Sequence, residues 1–134
     1  MAEPLPAQSF YQATSAGGSY PSLEGTAETA VCIIGGGFAG LGTAVSLAER
    51  GETEIVLLEG ETIGHGASGR NGGFVFGGFS LGERALLDSA GDEAGRALYL
   101  LTLAAVEQIR ERIGRYAIDC DARYEGVILA NWFD

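Results

Sequence analysis

The sequence predicts an α/β fold built around a parallel βαβ unit, and three observations predict it. A short apolar run, Ala30-Val31-Cys32-Ile33-Ile34, ends directly on a glycine turn. An alanine- and leucine-rich stretch of helical spacing follows that turn. A second apolar run, Ile55-Val56-Leu57-Leu58, then closes on an acid, Glu59. Strand, turn, helix and strand within about thirty residues make a crossover unit, and short runs that are apolar at every position suit strands buried on both faces.

The composition agrees with one globular domain. The chain has 134 residues, 46% of them hydrophobic and 19% charged, which is not the balance of a disordered tail. Its 18 acids against 8 basic residues give a formal charge of −10, and all the basic residues are arginine. Nothing basic is clustered to neutralise phosphates, so nucleic acid is not an expected partner, and an anionic membrane surface is disfavoured likewise. No apolar stretch is long enough to span a bilayer. Residues 1–9 carry neither a basic residue nor an apolar run, so no secretory signal is read there. Cys32, Cys120 and His65 are too few for a disulfide scaffold or a zinc site, and no metal is expected. These counts favour a reduced, cytoplasmic protein.

Taken in order, residues 1–29 are polar and turn-rich and read as an irregular lead-in, with Phe10 and Tyr11 free to pack on the body. The first strand, 30–34, is expected to be a core strand with Cys32 as a small buried hydrophobe. Leu41, Ala44, Val45 and Ala48 form one helical face, and Gly51 is the expected stop. After the second strand comes a glycine cluster with Gly64, Gly66, Gly69, Gly72 and Gly73, too rich in glycine for a helix or strand interior. Asp92 can cap a long helix over 92–114 with Leu98, Leu101, Ala105, Ile109 and Ile113 on its core face, and Gly114 is a plausible terminator. Its run from Glu107 to Arg115 alternates charge as a solvated face does. Residues 126–130 read as a strand.

The turn carries the chemistry. Gly35, Gly37 and Gly40 make a GxGxxG pattern between strand and helix. Gly35 permits the tight exit from the strand, Gly37 leaves room for a pyrophosphate at the backbone, and Gly40 lets the helix lie close on the strand. The helix start turns free N–H groups and its positive dipole end towards the phosphates, a local field that a net charge of −10 does not cancel. Glu59, 19 residues after Gly40, can accept hydrogen bonds from an adenosine ribose and would repel a 2′-phosphate. NADP is therefore disfavoured, and spacing alone leaves NAD and FAD open.

The second cluster separates them. Val31 to Leu41 (VCIIGGGFAGL) with Glu59, Gly64 to Gly73 (GHGASGRNGG) and Ile118 to Asp121 (IDCD) before Gly126-Val127 resemble the FAD-dependent oxidoreductases of the D-amino-acid oxidase group. The likeness is closest to the gamma-glutamylputrescine oxidase-like branch and runs from about Phe10 to Ala130. It implies a Rossmann-like, glutathione-reductase-like FAD-binding domain, incomplete here, with the start of a substrate-domain sheet. By that resemblance residues 30–120 belong to the FAD-binding domain and 121–134 begin the substrate domain. Gly35, Gly36, Gly37, Phe38, Ala39 and Gly40 would hold the pyrophosphate and Glu59 the ribose. Ser68, Arg70, Asn71 and Gly72 would contact FAD along the flavin end. The resemblance does not place His65 on the covalent flavin tether of some relatives.

The implied reaction is oxidation of an amine or amino acid by hydride transfer to flavin N5, followed by imine hydrolysis. No catalytic residue is assigned within this stretch. The alternatives are an NAD-dependent dehydrogenase and a catalytically inactive dinucleotide-binding module. Members of the family are much longer, so this chain is expected to be an N-terminal portion, inactive alone, whose partner is the missing C-terminal portion of the same enzyme.

Overall fold

In the computed structural model, which describes residues 9–15 and 17–128, the two apolar runs pair as parallel strands. Strand β1 spans Val31–Ile34 and β2 spans Ile55–Leu58, in register from Val31 with Ile55 to Ile34 with Leu58. The ladder extends past both ends: Val31 N–H donates to the Glu54 carbonyl at 3.1 Å and Gly35 N–H to the Leu58 carbonyl at 2.7 Å. Helix α2, Phe38–Glu49, makes the crossover and packs on both strands. Its end is as expected: Arg50 is the C-cap and Gly51 follows at φ +93°, where a side chain would be strained.

These elements belong to the first of two compact units, Met1–Gly73 and Phe74–Asp134. The lead-in is not wholly irregular. Helix α1, Phe10–Thr14, is fixed by a reciprocal capping box: Ser9 Oγ accepts from Gln12 N–H and Gln12 Oε1 accepts from Ser9 N–H. Tyr11 reaches the second glycine cluster, where its hydroxyl fills the place a side chain at Gly73 would take.

The expectation of a strand buried on both faces is corrected. Val31 and Ile33 are partly covered on the α2 side, whereas Cys32 and Ile34 are exposed, Ile34 to 87%. Alternation is inherent to a strand, so full burial needs a layer on each side. Among the described elements of this unit α2 supplies one layer, and Cys32 is an accessible thiol.

In the second unit, helix α3, Glu83–Ala90, lies in a stretch to which the sequence reading gave no element. Gly91 joins it to α4, Asp92–Arg115, and the two helices pack together. Gly91, at φ +82°, is the N-cap of α4; Asp92 is not the cap but stands in the first turn with Glu93, where acids complement the helix dipole. Gly114 does not terminate α4, which runs through it to Arg115 and leaves Cys120 outside the helix. Gly95 is buried because the Leu87 backbone and side chain occupy the space a Cβ would need, at 3.2 and 2.9 Å. That close approach buries Leu86, the one buried hydrophobe among the described residues, at 8% exposure.

The apolar stripe of α4 is not core in this structure. Leu98, Leu101 and Ile109 are exposed, Leu101 to 66%. The charged run at the other end does behave as a solvated face: Arg110 pairs with Glu107 at 3.4 Å, both side chains exposed, and its guanidinium lies 5.2 Å from the Tyr124 ring centre. Residues 126–128 form no strand, and Leu129 and Ala130 lie outside the described residues. No helix among the described residues is long and apolar enough to cross a membrane.

Candidate functional site

The carboxyl ends of β1 and β2 lie side by side, and at this end of an open parallel sheet ligands bind. β1 leads into Gly35 at φ +103°, a conformation that favours glycine and turns the chain sharply towards α2. Gly36 is buried beneath two neighbours, so a Cβ there would meet Ile63 Cδ1 at 2.6 Å and Glu59 Oε2 at 3.2 Å. Gly37 has ordinary extended backbone, φ −87° and ψ −172°, and makes no side-chain cap as the N-cap of α2. Its need for glycine is thus one of space. Gly40 faces β1, where a Cβ would run into the Gly35 carbonyl oxygen.

The electrostatics suit an anion at this turn. No acidic residue stands in the first turn of α2, so its dipole end is not internally neutralised. Glu59, closing β2, is bound to the turn itself: Oε2 accepts from Gly36 N–H at 2.6 Å and Oε1 from Glu61 N–H at 3.0 Å. The Gly36 amide first, then that of Glu61, hold the carboxyl below its ordinary value of 4.5, with smaller contributions from the Gly60 amide and the His65 charge against an opposing burial effect. Because the folded value is depressed, the stability this clamp lends is fully present above about pH 4.5 and is lost as pH falls through the lowered value. Thermal melts of wild type and Glu59→Gln between pH 7 and pH 3 should differ at the upper end and converge at the lower. Parallel curves would separate Glu59 from the turn's stability.

The second glycine cluster folds onto the first. Gly64 N–H donates to the Gly36 carbonyl at 3.0 Å, and Phe38 N–H donates to Ser68 Oγ at 2.9 Å. Residues Ala67–Gly69 form a 3-10 turn. Gly69 lies so close to Gly64 that a Cβ would strike the Gly64 carbonyl oxygen. Of the residues singled out from sequence, Gly35, Gly36, Gly37, Phe38, Ala39, Gly40, Glu59 and Ser68 come together here.

Arg70 and Asn71 each bond within their own loop. Arg70 Nε donates to the His65 carbonyl at 2.8 Å. Asn71 Nδ2 donates to the Ser68 carbonyl at 2.8 Å and its Oδ1 accepts from Gly73 N–H at 2.9 Å. Gly72 lies exposed in the same loop. Sequence reading missed Ile63 and the Gly64–Gly69 contact, which support the turn from below. The five-residue spacing of those two glycines was the available signal. A shallow depression at the opposite, amino ends of the strands is lined by Glu28, Thr53 and Glu54 and lies away from this chemistry.

The residues fit a dinucleotide in three respects: a Gly37 with no side chain of its own to bar the backbone, a helix whose first turn carries no acid, and a carboxylate at the end of β2. Comparison with known proteins narrows the kind. A family model for DAO, FAD dependent oxidoreductase, matches residues 30–133. The chain is 42% identical over 124 residues to the gamma-glutamylputrescine oxidoreductase of Escherichia coli (strain K12), covering 91% of this chain and 29% of that protein. It is 39% identical over 102 residues to the probable oxidoreductase OrdL of Haemophilus influenzae, covering 76% of this chain and 23% of that protein. A stretch of 56 residues is 41% identical to the bifunctional tRNA-modification protein MnmC of Shewanella frigidimarina, covering 42% of this chain and 8% of that protein. The chain thus spans less than a third of the length of these curated relatives. No solved structure matches it.

Proposed function

This chain belongs to the DAO family of FAD-dependent oxidoreductases, and on that premise we propose that it holds the FAD of an enzyme oxidising an amine or amino acid. The observation that carries the reading is the joining of the two glycine clusters at the start of α2, beside the carboxylate that closes β2. In it, the Gly35–Gly40 turn receives the pyrophosphate and Glu59 the adenosine ribose. Ser68, Arg70, Asn71 and Gly72 belong to the loop that runs towards the flavin, with Arg70 and Asn71 holding that loop's shape. Bound FAD supplies a two-electron acceptor for the hydride on the carbon bearing the amine, leaving an imine that water hydrolyses. An amine substrate is supported by the name of the Escherichia coli relative, an oxidoreductase of gamma-glutamylputrescine.

The test is a titration with FAD and with NAD, followed by addition of amines to the flavin-loaded protein under anaerobic conditions. FAD retention is expected of this chain, with amine-dependent bleaching of the flavin band only when it is joined to the remaining length that its relatives have, and preference for NAD would overturn the reading. Within the site, Glu59→Ala should weaken FAD by roughly tenfold to a hundredfold, the range for losing a charge-assisted hydrogen bond. An unchanged dissociation constant, read from flavin fluorescence, would remove Glu59 from the ribose.

A further inference from the structure

The N-cap of α2 is a glycine, and a glycine has no side chain with which to cap. In this structure the missing acceptor comes from thirty residues downstream: Ser68 Oγ takes the Phe38 N–H at 2.9 Å. The same oxygen lies 2.9 Å from the point a Gly37 Cβ would occupy, so it stands in the space that the absence of a side chain leaves over the turn. A phosphate oxygen bound by the Phe38 amide would sit at that same distance from the nitrogen, about 2.7–2.9 Å for a charge-assisted bond. One N–H cannot direct a linear bond at both oxygens.

From this coincidence we infer that Ser68 is a stand-in cap, holding the phosphate-binding amide of Phe38 while the cofactor is absent and giving it up to the pyrophosphate on binding. The inference rests on the proposal that the pyrophosphate occupies the Gly35–Gly40 turn. The exchange runs in that direction because a neutral hydroxyl is replaced by an anion. The anion makes the stronger bond to an N–H and is also drawn by the dipole end of α2. Ser68 therefore acts as a positioning residue: it keeps the start of α2 and the second glycine loop docked in the empty protein. It adds nothing to the bound state that the phosphate does not replace, so this role in the empty protein stands in place of the FAD contact that the resemblance implies for Ser68.

Exchange of the Phe38 amide proton with solvent, followed by NMR, reports the cap directly, and FAD titration reports its release. In the cofactor-free protein Ser68→Ala should speed Phe38 exchange by roughly tenfold, the scale of one lost cap, and Ser68→Thr should restore protection. With FAD bound, all three proteins should protect Phe38 alike, and Ser68→Ala should bind FAD as tightly as wild type or more tightly. Unchanged Phe38 exchange in cofactor-free Ser68→Ala would overturn the cap. A loss of FAD affinity beyond about fivefold in that variant, the scale of one hydrogen bond, would show that the serine stays on the bound cofactor and would overturn the exchange. If wild type and both variants bind no FAD, the pyrophosphate assignment itself fails, an outcome distinct from the other two.

Discussion

Gly37→Val is expected to give a folded protein that no longer retains FAD. The backbone at Gly37 is extended, a conformation that valine adopts readily. The atoms nearest a new Cβ belong to the Ser68 side chain, its Oγ at 2.9 Å and its Cβ at 3.7 Å, and a hydroxyl on a single rotor can swing away. The fold therefore tolerates the change. The cofactor does not, because the valine methyl groups would stand over the amides that a pyrophosphate must approach. The expected loss of affinity exceeds roughly a hundredfold, and flavin absorbance after gel filtration, alongside a thermal melt, measures both halves. A folded variant with near-normal flavin content would take the pyrophosphate away from this turn.

Gly40→Ala should fail in the opposite way, by unseating α2. Alanine is the best helix former and by propensity alone would gain up to about 1 kcal/mol over glycine. Here its Cβ would overlap the Gly35 carbonyl oxygen and stand 3.3 Å from Ile33 Cγ2, and the first of these is backbone that cannot rotate aside. Relieving the overlap means lifting α2 from β1, at a cost at or beyond the top of the about 1–3 kcal/mol range for overpacking. Gly42 provides the control, because nothing lies within 4 Å of its Cβ position. Gly42→Ala should melt at or slightly above the wild-type temperature and Gly40→Ala well below it. Equal melting temperatures for the two would mean that α2 does not pack on β1 as closely as described.

The contrast between these glycines also shows what was legible in the sequence. The βαβ unit could be read because its cues are local: an apolar run, a glycine turn, a helical face and a second run closing on Glu59. Burial could not, since the fate of Cys32 and Ile34 depends on what lies over the outer face of β1. The exposed stripe of Leu98, Leu101 and Ile109 was misread for the same reason: periodicity defines a face and not its cover. Helix α3 carried cues, an acid at Glu83 and an Arg84–Asp88 pair four residues apart, but it is short and flanked by glycines without side-chain caps. At the start of α4 an aspartate is ordinarily the better cap, yet the left-handed backbone of Gly91 set the boundary one residue earlier. In the site, Glu59 and the Gly35–Gly40 turn followed from spacing. The inward commitments of Arg70 and Asn71, and the bond from Phe38 to Ser68, depend on a loop closure that no spacing encodes.

That loop closure sets the order in which the protein assembles. The amides of Gly36 and Phe38 find their partners at Glu59 and Ser68, 23 and 30 residues further along the chain. During synthesis the glycine turn emerges first and waits, its donors open to water, until β2 and then the second cluster have left the ribosome. Loop-closure entropy of this size must be met before the long-range contacts reward it. The turn is consequently completed only once Ser68 has arrived, despite lying early in the sequence. A nascent chain that has not yet reached Ser68 would have its strand pair and the Glu59 clamp in place, and an α2 whose first amide is still exposed.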